Sequence, residues 1–431
     1  MSGPMLTGNE PAPGGGGRAL VALSLAALIA LSLLLPLAGC GGSRENGGVS
    51  GTVQAEVVSG PLPERIDRLA FKLLKQVTVE EAGGNVFLSP ASLEMALAMT
   101  MNGAAGDTLA AMAGALELQG MTTTEVNRAN KAMADWLARL DPKVTLEIAN
   151  SLWAREGVEF SPGFLAANRE YYDARVETID LDAPSAANTI NGWVSEQTHG
   201  KIDEIVKPPI DPLTILFLLN AIYFKGQWTT QFDKGLTTDG DFKTSGGTDK
   251  VPMMTQSGEF SYMENEGFQA IFLPYGAGKT GMYIFLPAES SSLPAFIEGL
   301  TPENWTRWMS EFAEHEGDIT MPRFKLEYEK ALKDTLSAMG MGVAFTEQAD
   351  FSKMLVEGST DEPFIQQVKQ KTYADVNEEG TEAAAVTSVE VGVTSIAPGE
   401  RFIMTVDRPF FFAITDDAGK VILFEGALYK P

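Results

Sequence analysis

The chain has 431 residues, 44% of them hydrophobic, with a formal net charge of −25. That is enough apolar material for one large core or two ordinary ones. The acidic balance excludes a nucleic-acid binder, whose phosphates demand clustered Lys and Arg, and no long acidic run occurs, so the charge is spread over a solvated surface.

The N-terminus reads as a targeting segment and not as part of the fold. Arg18 precedes an apolar run from Ala19 to Leu35, closed by Leu37-Ala38-Gly39-Cys40. A short apolar core ending in small residues is a secretory signal and lacks the flanks of a spanning helix. The closing tetrad resembles the bacterial lipoprotein cleavage box, which implies that Cys40 becomes the first mature residue and carries acyl chains. Cys40 is the single cysteine of the chain, so no internal disulfide forms. Acyl chains would hold the protein at a membrane surface. Residues 41–60 are rich in Gly, Ser and charged side chains, a flexible tether able to hold a domain roughly 25 Å away. The expected organisation is a signal peptide over 1–40, a tether over 41–60 and one folded domain over 61–431.

In that domain, Leu62, Ile66, Leu69, Leu73 and Val77 recur at helical spacing. Further helices are predicted over 92–102, 108–118 and 126–140, then a strand over 144–153. A helix over 164–173, a strand over 176–181 and a helix over 186–198 follow. The run from Leu213 to Phe224 is almost unbroken apolar sequence, as expected of a strand buried on both faces. Strands are predicted over 268–273 and 282–286, helices over 303–312 and 329–339, and a strand over 364–377. A hairpin of 402–415 with 421–428 closes the chain. Helices concentrate early and strands late, with no internal repeat, which indicates an α+β domain.

The segment after Asn377 is written both as a loop and as a strand. Alternate residues Thr381, Ala383, Ala385, Thr387, Val389, Val391 and Val393 are small or β-branched and uncharged, while the opposite register carries Glu382, Ala384 and Glu390. One face could therefore be buried. Yet the segment opens on Glu378-Glu379-Gly380 and runs into Ala397-Pro398-Gly399, which is exposed-loop chemistry.

Glu378 to Ala385 resembles the proximal hinge of the serpin reactive-centre loop. Asn85-Val86-Phe87-Leu88-Ser89-Pro90 with Ser92 resembles the family's early helix start. Leu219-Asn220-Ala221-Ile222-Tyr223-Phe224-Lys225-Gly226-Gln227-Trp228 resembles its central-sheet strand and the turn after it. Met321-Pro322-Arg323-Phe324, Ala349-Asp350-Phe351-Ser352 and Asp407-Arg408-Pro409-Phe410 follow in the family's order. The resemblance covers roughly Pro61 to Pro431. It implies a single domain with a large central mixed or antiparallel sheet, further sheets, about eight or nine helices and an exposed loop.

It also implies a function. A target serine protease attacks the loop, an acyl bond forms, and the loop inserts into the central sheet before deacylation. Counting by the family's usual spacing from Gly380 places the scissile bond at Thr394-Ser395, to within one residue. A small β-branched residue there suits elastase-like or subtilisin-like proteases. Ser89, Ser92 and Asn220 match the family's polar cluster beneath the sheet, and Trp228 the residue near where the loop enters. Gln370 stands where many members have a histidine, so the cluster keeps a donor and acceptor without a group that titrates near neutrality. The alternatives are a non-inhibitory serpin or a ligand-binding surface lipoprotein on the same scaffold.

No cofactor, no metal and no catalytic site is expected, and the protein is expected to be a monomer. The two histidines, His199 and His315, belong to no zinc pattern, and no Gly-x-Ser-x-Gly elbow occurs. Gly276 to Gly281 lacks the earlier glycine of a phosphate-binding loop and reads as a hairpin turn.

Overall fold

Residues 60–381, 401–416 and 421–431 are described by a computed structural model. The first helix, α1 (Leu62–Glu80), has Pro63 in its first turn and buries Leu62, Ile66, Leu69, Leu73 and Val77, the residues of its apolar stripe. A short strand β1 (Val86–Leu88) leads into α2 (Pro90–Met101), whose N-cap is Ser89 and whose first residue is proline. Nearly every side chain of α2 is buried, because the helix lies against strands of both sheets. Then come α3 (Gly106–Ala115), α4 (Thr123–Leu137) with a Thr122/Glu125 capping box, β2 (Val144–Arg155) and α5 (Pro162–Tyr172). Strand β3 (Arg175–Ile179), α6 (Ala186–Gln197) and β4 (Leu216–Gln227) complete the first half.

The second half is mostly strand: β5 (Thr238–Thr244), β6 (Gly247–Glu264), β7 (Phe268–Tyr275) and β8 (Thr280–Pro287). Helices α7 (Leu293–Glu298) and α8 (Pro302–Glu311) precede β9 (Ala313–Pro322), β10 (Phe324–Ala331) and the short α9 (Lys333–Leu336). Last come β11 (Lys369–Asn377), β12 (Gly380–Thr381), β13 (Phe402–Thr405), β14 (Phe410–Asp416) and β15 (Ile422–Leu428). One sheet runs β10-β11-β12-β4-β2-β3; the other runs β1-β15-β14-β8-β7-β6-β9-β13, with β5 paired to β6. The α+β class with a large mixed sheet is therefore as the sequence indicates.

Several elements differ from the sequence reading, each for a physical reason. Residues 329–331 are strand: Phe324, Leu326 and Tyr328 are buried and Lys325, Glu327 and Glu329 are not, a period of two. Helix is confined to Lys333–Leu336, and the chain then passes through a wider turn where Gly340 takes φ +105°. Phe402–Thr405 does not belong to the closing hairpin; it pairs in parallel with β9, and only β14 and β15 form the hairpin. Strands β5 and β6 escaped the sequence reading because their residues are polar and Gly-rich, with little apolar alternation over Gly247–Val251. The run in β4 is not buried on both faces: most of Leu216–Tyr223 is half-exposed and Leu213 is out in solvent. The reason lies beside β4, at the candidate site.

Candidate functional site at the opening of the central sheet

Strand β4 is hydrogen-bonded along its length to β2 on one side. On its other side lies β11, and the two are joined only through β12. Val376 faces Thr381 and Asn377 faces Gly380 on one edge of β12; Gln227 faces Gly380 and Gly226 faces Thr381 on the other. Among the described residues no ladder links the rest of β4 to the rest of β11. The chain thus leaves β11, turns at Glu378-Glu379 and starts a new antiparallel strand in the middle of the sheet.

That start is tightly held. Glu378 is buried and accepts hydrogen bonds from Arg323 Nε (2.8 Å), Arg323 Nη2 and Thr237 Oγ1. Burial opposes its ionisation, but the guanidinium and the hydroxyl outweigh it and hold the carboxyl below its usual range. Glu379 is buried against Lys234 Nζ, and its carbonyl accepts from the Trp228 N–H at 3.0 Å. Gly380 has φ +149°, and a Cβ there would sit 2.7 Å from Gln227 Cα, so only glycine fits between the strands. Thr381 is 2% exposed, with its hydroxyl 2.6 Å from Tyr275 Oη. The Tyr275 ring stacks on Trp228 at 4.4 Å and 10°, and Trp228 Nε1 donates to Asn377 O at 2.9 Å. Burial pushes the Tyr275 hydroxyl well up, so it stays protonated as a donor or acceptor for Thr381.

This corrects one expectation. Glu378-Glu379-Gly380-Thr381 is not exposed loop; the acids are buried in ion pairs and the threonine already occupies the sheet. Two like charges in sequence suggested solvent, but two cations distant in sequence, Arg323 and Lys234, meet them. Residues Glu382, Ala383, Ala384, Ala385, Thr394 and Ser395 lie outside the described residues, as does Cys40 with the signal segment and the tether up to Ser59.

Farther along the gap, the polar residues singled out from the sequence come together. Gln370 on β11 donates to Ser89 O at 2.8 Å and accepts from Ser89 N at 2.9 Å. Ser92 Oγ donates to Asn220 Oδ1 on β4, and Asn220 Nδ2 donates to Asn150 Oδ1 on β2 at 2.7 Å. Ser89 Oγ donates to Leu423 O on β15 at 2.7 Å. The start of α2 therefore fastens β11 through one residue and β4 through another, on opposite sides of the gap. Sequence reasoning missed Asn150, Thr372 (donating to Phe87 O at 2.6 Å), Tyr275 and Lys234. Asn150 sits in the strand alternation of β2 and Tyr275 at a hairpin end, so neither carries a local motif. Arg323 was in a quoted motif without an assigned role.

Among the described residues no cluster of His, Cys, Asp and Glu could hold a metal, and no helix is long and apolar enough to cross a membrane. His199 lies 2.8 Å from Glu147 and against Tyr223, and His315 packs edge-on to Tyr262. Gly276 to Lys279 is the turn between β7 and β8, with Asp141 accepting from Ala277 N at 2.7 Å.

One helix thus fastens the two strands on either side of a third strand that begins at the centre of the sheet. The family model for serpin, serine protease inhibitor, matches residues 64–431. The chain belongs to the serpin family. It is 37% identical to a leukocyte elastase inhibitor of Bos taurus over 376 residues, covering 84% of this chain and 98% of that one. Among solved structures, the thermophilic serpin tengpin in its native state superposes with a TM-score of 0.77 at 29% identity, covering 90% of this chain and 96% of that one. Thyroxine-binding globulin with thyroxine superposes with a TM-score of 0.76 at 26% identity, covering 86% and 99%.

Proposed function

We propose that this serpin inhibits serine proteases as a suicide substrate, with loop cleavage at about Thr394-Ser395 followed by insertion of the loop from Thr381 onward between β4 and β11. The observation that carries the reading is the gap itself: among the described residues, two long strands are joined only by Gly380 and Thr381. Insertion is favoured by new ladder hydrogen bonds and by burial of the half-exposed apolar side chains of β4. The inward register Thr381, Ala383, Ala385, Thr387, Val389, Val391 and Val393 contains neither charge nor proline, either of which would obstruct it. Thr394 suits the shallow pocket of an elastase-like or subtilisin-like enzyme, and the similarity to an elastase inhibitor supports that class. The test is incubation with such a protease. An SDS-stable adduct of the summed mass is expected; clean cleavage without adduct would refute inhibition.

The structural likeness to thyroxine-binding globulin favours a second reading, a carrier for a small ligand. It predicts no adduct with any serine protease. Membrane attachment through Cys40 belongs to the proposal as well. In a bacterium with lipoprotein processing the protein should fractionate with membranes, and Cys40→Ser should be released soluble or retain its signal. Inhibition should survive the change, because residues 41–60 separate Cys40 from the folded domain.

A further inference from the structure

Behind the fastening of β4 lies a buried carboxylic acid that the loop mechanism does not use. Glu94 is on α2, two residues after Ser92, so it points away from the sheet as Ser92 points toward it. It is 0% exposed. Oε1 accepts one hydrogen bond, from Asn130 Nδ2 on α4 at 3.0 Å, and Oε2 has no protein partner among the described residues. The residues around it form a circuit. Ser92 bonds Asn220, Asn220 bonds Asn150, and Asn150 Nδ2 donates to the Tyr172 carbonyl at the end of α5 (2.7 Å). Tyr172 Oη donates to Asn127 Oδ1 on α4 at 2.8 Å, and Asn130, one turn on, returns to Glu94 on α2. The circuit passes through α2, β4, β2, α5 and α4 and closes on its only carboxylic acid.

We infer that Glu94 is a proton-operated catch on the central sheet: neutral, it lets α2 and α4 close on the Ser92–Asn220 fastening; ionised, it loosens that fastening and eases separation of β4 from β11. The inference rests on the insertion reading above. A buried carboxylate with one donor is under-satisfied, so ionisation must recruit water or part the helices. Burial moves the Glu94 carboxyl up to about 7, with Asn130 opposing. Tyr172 is the other titratable group facing it, and burial pushes that hydroxyl far up, so it stays neutral. Of the other elements packed on α2, α1 brings buried Asp67 and β15 buried Glu425, which act on one another. The elements α3 and β4, which also pack on α2, carry Asp107 and Lys225. Because the folded form prefers the neutral acid, its stability falls as pH rises from the ordinary carboxylate range to about 7, and the loss is complete above that.

The experiment uses the intact protein and a synthetic peptide of residues 381–394, whose uptake into the sheet is followed by native gel. From about pH 5 to about pH 9 the wild-type Tm should fall by a few degrees and peptide uptake should quicken about tenfold. Glu94→Gln, nearly isosteric and unable to ionise, should lessen the slope of both curves, leaving in the Tm curve only what Asp67 and Glu425 contribute. Asn130→Leu removes the one donor to the carboxylate and should shift both midpoints to higher pH, which loss of packing alone would not do. Unchanged curves in both variants, with uptake intact, overturn the catch alone. Absence of uptake in every variant at every pH overturns the insertion reading, and the catch with it.

Discussion

The β14–β15 hairpin and the β4–β11 neighbourhood are built from similar sequence and end in opposite conditions. Phe410–Asp416 and Ile422–Leu428 are buried at every position, paired with each other along their length and flanked by β8 and β1. Leu216–Gln227 is as apolar, yet most of it is half-exposed, and among the described residues its second edge is paired only at Gly226 and Gln227. Among the described residues one sheet is fully paired through its centre and the other has a central strand with an unpaired edge. The difference is not propensity; it is the partner that has or has not been supplied. A fold that keeps an apolar strand half-covered holds free energy that a later strand can release, as strained or under-paired elements do in other switches.

The largest test of that contrast is to supply the strand. On the proposed mechanism, a protease that clips near Thr394 should free the loop to fill the gap. About ten new ladder bonds at roughly 1 kcal/mol each would stabilise the cleaved form by on the order of 10 kcal/mol. For a domain of this size that corresponds to a Tm rise on the order of 20 °C. Calorimetry of intact and cleaved protein reads it directly. Equal midpoints would mean that the six-stranded sheet is as complete as the other, and would favour the carrier reading.

Next in size is Thr381→Arg. In the intact protein Thr381 already lies in the sheet at 2% exposure, so the guanidinium must be buried unpaired or the hinge must withdraw. Burying a lone charge costs several kcal/mol. Covalent adduct should fall by more than about tenfold while the protease still cuts the loop, because deacylation outruns a stalled insertion. A wild-type yield of adduct would show that insertion does not pass through this position.

Phe411→Ala should behave in the opposite way. Phe411 is fully buried in β14, 5.9 Å from Phe285 and 5.7 Å from Phe296, under α7 and α8 and away from the gap. A cavity there should cost about 3–5 kcal/mol. The loss should be equal in intact and cleaved protein, since the nine-stranded sheet is complete in both. Unequal losses would show that the two sheets are energetically coupled.

How much of this was readable in advance follows the same division. Elements with strong periodicity came through: the stripe of α1, the Ser89-Pro90 start of α2, the β7–β8 hairpin. The family resemblance also marked Ser89, Ser92, Asn220 and Gln370 as a set. What the sequence could not carry is distance across the fold. Arg323 and Lys234 neutralise Glu378 and Glu379 from 55 and 145 residues away, so two adjacent acids read as a solvent-facing turn. The half-exposure of β4 was hidden for the same reason. An apolar run states that burial is favourable, and says nothing of whether the neighbouring strand has arrived.

The smallest expected effect bears on that hidden feature. The Tyr275 hydroxyl lies 2.6 Å from Thr381 Oγ1, and both groups are buried. Tyr275→Phe removes one partner and leaves the other unsatisfied, at a cost of about 1 kcal/mol. The ring should keep its stacking on Trp228, so packing is little changed. If Thr381 occupies the sheet before the loop is cut, the bond exists in both states, and the substitution should lower the Tm of intact and cleaved protein alike. If the hinge instead lies in solvent until cleavage, the intact protein should be indifferent and only the cleaved form should lose stability. A pair of melting curves decides between a sheet whose filling has begun and one that waits for the protease.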